Sequence, residues 1–178
     1  MQVFKYVSIT CFILLSQTIF SQENENVKEE EEEEQTIIIG LAPTLELNET
    51  LYGVNGRVYY GLNDTFCFGP EISYFPYQNI DDDYEKSIID LNINAHYIFE
   101  LSEKWGLYPL SGINYTIEKE RLINQNNDSE KIDEFGINYG VGIHYKISDL
   151  YVFSEFKGII GQLNAEFISA GIIFNFSL

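Results

Sequence analysis

Ile168-Ser169-Ala170-Gly171-Ile172-Ile173-Phe174-Asn175-Phe176-Ser177-Leu178 closes the sequence and decides how the rest is read. At period two, Ile168, Ala170, Ile172, Phe174, Phe176 and Leu178 fall on one face, while the other begins with Ser169 and Gly171. Such alternation predicts a strand that is apolar on one side only.

The same pattern recurs upstream. Ile89, Leu91, Ile93, Ala95, Tyr97 and Phe99 oppose Asp90, Asn92, Asn94 and His96. Phe135, Ile137, Tyr139, Val141, Ile143, Tyr145 and Ile147 oppose Gly136, Asn138, Gly140, Gly142, His144 and Lys146. Strands are also predicted near Thr36–Glu46, Leu51–Leu62, Phe66–Tyr77, Gly106–Ile117 and Leu150–Ile160. The Gly106 and Leu150 segments leave their phase open. Ile113, Tyr115 and Ile117 are assigned to the apolar face of the first, and Glu155 and Lys157 to the polar face of the second.

Tight links (Asn63-Asp64-Thr65, Leu101–Lys104, Ser148-Asp149) alternate with longer ones. Gln78–Ser87 and Glu118–Glu134 are long, polar and charged, and Leu47–Thr50 and Gly161–Ala165 are shorter but lie on the same side. Short turns at one end and longer loops at the other is the arrangement of a transmembrane barrel, with both termini on the short-turn, periplasmic side. Strands of about ten residues at ~3.3 Å rise, tilted near 45°, cover roughly 23 Å, close to the ~25 Å apolar band of such barrels.

Volume decides which face is inside. The apolar face is bulky, whereas the polar face is rich in Gly40, Ala42, Gly61, Gly69, Gly136, Gly140, Gly142 and Gly171. An eight-stranded barrel has an interior only just wide enough for side chains. Small residues belong there, and the bulky apolar belt outside requires lipid. A lipocalin-like inversion is therefore rejected. Tyr52, Tyr60, Phe66, Tyr74, Tyr97, Trp105 and Tyr145 near strand ends fit interfacial girdles.

The N-terminus reads as export followed by a tail. Lys5, then Val7–Leu15 with Ile19 and Phe20, then Ser21, form a signal-peptide pattern over residues 1–21, with cleavage after Ser21 or Gln22. Ser8, Thr10, Ser16, Gln17 and Thr18 interrupt the apolar run, which falls short of the ~20 residues of a membrane helix. Residues 22–35, with Glu29 to Glu34, form an acidic tail expected to be disordered. The formal net charge of −18 argues against nucleic-acid binding. Cys11 leaves with the signal, so Cys67 has no disulfide partner.

Residues 36–178 resemble the small eight-stranded outer-membrane barrels of the OmpX and OmpA type. They are especially similar to the outer-membrane β-barrel proteins of Bacteroidetes-like Gram-negatives. The likeness rests on the strand pattern, on the Gly-x-Asn-Tyr stretches Gly112–Tyr115 and Gly136–Tyr139, and on the Phe-x-Phe ending. It implies an all-β, antiparallel, up-and-down transmembrane barrel in the outer membrane. It implies outer-membrane lipids, the barrel-assembly machinery and periplasmic chaperones as partners, a monomeric state, and no catalytic motif or cofactor.

Candidate sites follow from this placement. Arg57, Glu71, Asp90, Lys146, Glu155 and Lys157, with Glu118, fall on the lumenal face, where a charge must be paired. A packed ion-pair network is expected, against the alternative of a narrow, porin-like channel. A lipid-modifying enzyme is the third reading, but His96 and His144 sit at the periplasmic end, away from the outer leaflet. Asp81-Asp82-Asp83 with Glu85 lacks the spacing of a calcium loop and reads as solvated surface. No metal or cofactor site is assigned, and the expected role is structural, or surface interaction through the extracellular loops.

Phe174, Phe176 and Leu178 are expected to form the assembly signal. Replacing Phe176 and deleting Leu178 should lower insertion in cells while refolding in detergent suffers less. Unchanged surface levels in a protease-shaving assay would count against a recognition role.

Overall fold

The computed structural model describes residues 35–123 and 129–178; the signal peptide expected at residues 1–21 and most of the tail expected at 22–35 lie outside these residues. Eight barrel strands follow one another: β1 (Thr36–Glu46), β2 (Leu51–Gly61), β3 (Phe66–Asn79), β4 (Tyr84–Tyr97), β5 (Trp105–Leu122), β6 (Ser129–Ile147), β7 (Leu150–Gly161) and β8 (Ala165–Ser177). Phe99–Glu100 continues β4 past Ile98 and pairs with Leu107 and Gly106 of β5.

Each strand pairs antiparallel with the next, and β1 pairs with β8 from Thr36↔Ser177 to Glu46↔Phe167. The sheet is thereby closed, as the alternation anticipates. No helix among the described residues is long and apolar enough to cross a membrane. Strands can cross instead, because closure satisfies every ladder without leaving an edge.

Burial follows the phases read from the sequence. In β1, Ala42, Thr44 and Glu46 are buried while Ile39 and Leu41 are exposed. The two open phases resolve as assigned: Asn114 and Thr116 point inward on β5, and Glu155 and Lys157 on β7. Close packing explains the inward glycines. A Cβ on Gly40 would stand 2.7 Å from Cγ of Arg57, and one on Gly142 would collide with the Tyr108 ring.

The interior is not uniformly polar. Leu51, Phe75, Ile88, Ile159 and Phe167 form an apolar cluster toward the loop end. Ile38, Tyr59 and Cys67 form a second toward the turn end. Phe75 and Phe167 meet with ring centroids 5.7 Å apart.

The long polar loops expected at Gln78–Ser87 and Glu118–Glu134 are mostly strand. β3 and β4 run to Asn79 and from Tyr84, leaving only residues 80–83 as the turn. β5 and β6 stay paired out to Arg121↔Ser129. At 18 and 19 residues they are far longer than the 11-residue β1 and β2, so a β-ribbon stands beyond the apolar band. Charges hid this extension by breaking the alternation, yet they pair across strands. Arg121 Nε lies 2.6 Å from Glu85 Oε1, and its guanidinium stacks 3.9 Å over the Tyr77 ring.

Two turn residues, Thr50 (φ 62°) and Ser148 (φ 56°), adopt left-handed backbone. Ser148 lies in the two-residue link between β6 and β7, where a reversal this tight favours positive φ.

Candidate functional site: the barrel interior

Alternation on β2, β3 and β7 aims Arg57, Glu71, Glu155 and Lys157 into the same confined space, and all four are buried. Arg57 grips Glu155 with two nitrogens, Nη1 to Oε2 at 2.8 Å and Nη2 to Oε1 at 3.1 Å. Its Nε and Nη2 also donate to Asn55 Oδ1 at 3.0 and 2.8 Å. The guanidinium lies 4.4 Å over the Phe153 ring. This fork geometry is what arginine offers and lysine does not.

Glu71 is held from several sides. Lys157 Nζ donates to Oε1, while Oε2 accepts from Tyr59 Oη at 2.8 Å and Asn94 Nδ2 at 3.3 Å. Arg57 Nη2 stands 3.7 Å from the same carboxylate, which joins the two pairs into one cluster. Tyr108 Oη adds a bond to Glu155 Oε2 at 3.1 Å.

The other three residues expected in the lumenal network lie elsewhere. Glu118 meets Lys86 toward the loop end. Asp90 is fully buried but bonds to Thr116 and Asn114 rather than to the Arg57 cluster. Lys146 is exposed at the turn-end mouth, 5.7 Å over the Tyr151 ring. Asn55, Tyr59, Asn94 and Tyr108 complete the cluster. The sequence signal that marks them is only their inward phase.

Below the charges a stack of rings runs to the turn end. His96 stacks on Tyr108 at 4.9 Å and tilts against Tyr59 at 4.5 Å. His144 follows, 6.0 Å from Tyr108 and 5.2 Å from Tyr151. Both histidines line a small cavity of about 150 Å³ that also touches Cys67, Lys104 and Lys146.

Above the charges, an amide ladder links β4, β5 and β6. Asn138 Nδ2 donates to Asn92 Oδ1 at 2.9 Å and Asn94 Oδ1 at 2.7 Å, and Asn114 Nδ2 donates to Asn92 Oδ1 at 2.9 Å. Toward the loop end, Lys86 Nζ is ringed by Glu49 and Glu120 at 2.8 Å and Glu118 at 3.4 Å. Lys86 belongs to β4 and is buried, although the sequence placed it in a loop.

A concavity of about 660 Å³ opens on the outer apolar face beside Gly56, lined by Val58, Pro70, Ile72, Leu91 and Ile93. It is part of the outward apolar face, with Arg57, Glu71, Asn92 and Asn114 of the inward face behind it. Among the described residues no three of His, Cys, Asp and Glu converge as a metal centre.

A family model described as "Outer membrane protein beta-barrel domain" matches residues 15–157. Three solved structures illustrate the likeness in fold. Ail, the attachment invasion locus protein of Yersinia pestis, is 17% identical with a TM-score of 0.59, over 82% of this chain and 99% of that one. The N-terminal β-barrel domain of Pseudomonas aeruginosa OprF is 17% identical with a TM-score of 0.56, over 80% and 97%. A major outer membrane protein of Thermus thermophilus is 8% identical with a TM-score of 0.65, over 80% and 99%. Ail is also known in complex with the heparin analogue sucrose octasulfate. No match was found among curated proteins.

Removing Arg57 leaves Glu155 buried with the Tyr108 hydroxyl as its remaining polar partner. Breaking one member of a buried pair costs about 3–5 kcal/mol, less where water enters. Arg57→Ala should clearly lower the urea unfolding midpoint in detergent, and Arg57→Ala with Glu155→Gln should recover part of the loss. Ile93→Val, on the lipid face, should stay near wild type. A double variant no better than Arg57→Ala would show that the pair carries no coupled energy.

Proposed function

Because the chain belongs to the outer membrane protein beta-barrel domain family, we propose that it is a non-enzymatic surface protein of the outer membrane. In this reading the barrel is a closed support, and the β5–β6 ribbon is the part that meets other molecules. The observation that carries it is the contrast between the two regions. The interior is crossed by the packed Arg57–Glu155 and Lys157–Glu71 pairs, while the ribbon stands past the last apolar ring pair, Tyr115 and Phe135. The turn end, with the termini, faces the periplasm and the ribbon faces outward.

The charge at the loop end restricts the kind of partner. Asp81-Asp82-Asp83, Glu85, Glu118, Glu120 and Glu130 outweigh Lys86, Lys119, Arg121 and Lys131. A polyanion of the kind Ail binds would be repelled, whereas a cationic peptide or protein would be steered toward this surface. His96 and His144, stacked among tyrosines at the opposite end, sit where outer-leaflet catalysis could not use them. The barrel-assembly machinery and periplasmic chaperones would deliver a monomer to the membrane.

Two measurements on the refolded protein test this reading. Planar bilayers should show no steady single-channel current. A fluorescent oligolysine should bind in a salt-sensitive way and heparin should not, and replacing residues 118–134 by a short turn should abolish oligolysine binding without loss of the barrel. A well-defined ohmic conductance would favour the channel, and heparin binding would contradict the assigned surface chemistry.

A further inference from the structure

Asp90 of β4 pairs with Thr116 of β5, which pairs in turn with Glu134 of β6, so three inward positions lie side by side at one level of the barrel. Asp90 is fully buried and its Oδ2 has no partner. Oε2 of Glu134 is likewise sealed without a partner. Between them, the Thr116 hydroxyl faces two acceptors, Asp90 Oδ1 at 2.6 Å and Asn114 Oδ1 at 2.8 Å. A hydroxyl has one proton to give. With Asp90 ionised, one of the two close oxygen–oxygen contacts has no proton between its atoms.

The nearby cations are already engaged. Arg57 is committed to Glu155 and Asn55, Lys157 to Glu71, and Lys86 to Glu49, Glu118 and Glu120. Asn114 Nδ2, 3.5 Å from Asp90 Oδ1, supplies only a long, weak contact. A buried carboxylate left this way is strongly disfavoured unless positive charge reaches it.

We propose that this oxygen-rich spot is a binding site for a hard divalent cation of the calcium type. Asp90 and Glu134 supply two carboxylates, and Thr116 Oγ1 and Asn114 Oδ1 supply neutral oxygens. The donor set is all oxygen, which suits a hard ion, and its irregular layout suits calcium better than the strict octahedron of magnesium. The ion ties together β4, β5 and β6 directly below the point where the β5–β6 ribbon leaves the apolar band. Outer-surface calcium thus sets how firmly that ribbon is held.

The test uses the full mature chain refolded in detergent after treatment with chelator, with Ca²⁺ and Tb³⁺ as probes. Wild type should bind one Tb³⁺ that Ca²⁺ displaces, and millimolar Ca²⁺ should raise the temperature of its heat-modifiable gel transition. Losing one of two carboxylate ligands should weaken Tb³⁺ binding about tenfold or more in Asp90→Asn, with Glu134→Gln also weakened. Asp81→Asn, in the exposed turn, should behave as wild type. If Asp90→Asn does not refold, Glu134→Gln and Thr116→Val carry the comparison. The site is overturned if wild type ignores Ca²⁺ while Asp90→Asn is at least as stable, since a proton then neutralises Asp90. It is equally overturned if Asp81→Asn removes the response, which would place the ion on the surface.

Discussion

Closure of the sheet through β1 and β8 is the constraint on which everything else in this molecule depends. Inside a bilayer no water is available to an unpaired backbone N–H or C=O, so an open edge would be prohibitive. The pairs running from Thr36↔Ser177 to Glu46↔Phe167 remove that edge. They also fix where every side chain points. Once the ring is closed, a residue on any strand faces either lipid or the lumen, and a one-residue slip would invert its whole strand.

The narrow lumen then dictates composition. Gly40 and Gly142 leave room for Arg57 and Tyr108. The charges admitted to this space are held at distances that share their fields: Arg57 with Glu155, Lys157 with Glu71, and Arg57 3.7 Å from Glu71 between them. Tyr59, Tyr108, Asn55 and Asn94 take up remaining hydrogen-bonding capacity. Such a cluster adds specificity more than raw stability, since apolar replacements of buried pairs are often tolerated. Here it joins β2 and β3 to β7, which is not their neighbour in the sheet, across the centre of the barrel.

Strand phase was legible because lipid and lumen impose opposite demands on alternate residues. The clean alternation in β4 and β6 is the direct imprint of that rule. Legibility failed where the rule is relaxed. Phe75, Ile88 and Phe167 share the inward phase of Ser73, Asp90 and Ser169, but near the loop end an apolar plug replaces the polar lining, so their residue type hides what their spacing shows. The β5–β6 ribbon was hidden for a different reason. Past Ile117 charged residues occupy both phases, so Glu118-Lys119-Glu120-Arg121 carries no apolar–polar alternation to read. Membership of the charge cluster was legible only as inward phase. Height along the barrel depends on strand tilt and register, and these separate Lys146 at the mouth from Lys157 at the centre.

The central claim is that the exposed apolar face meets lipid and that the lumen is sealed from it. Isoleucine methyl groups report on both sides at once. Ile93, Ile113 and Ile137 face outward with more than half of their surface exposed, whereas Ile38, Ile88 and Ile159 are buried inside. In a nanodisc carrying a nitroxide on the lipid chains, methyl relaxation should be strongly enhanced for the first three and nearly silent for the second three. Equal enhancement of both sets, or enhancement of the inner set alone, would contradict the account.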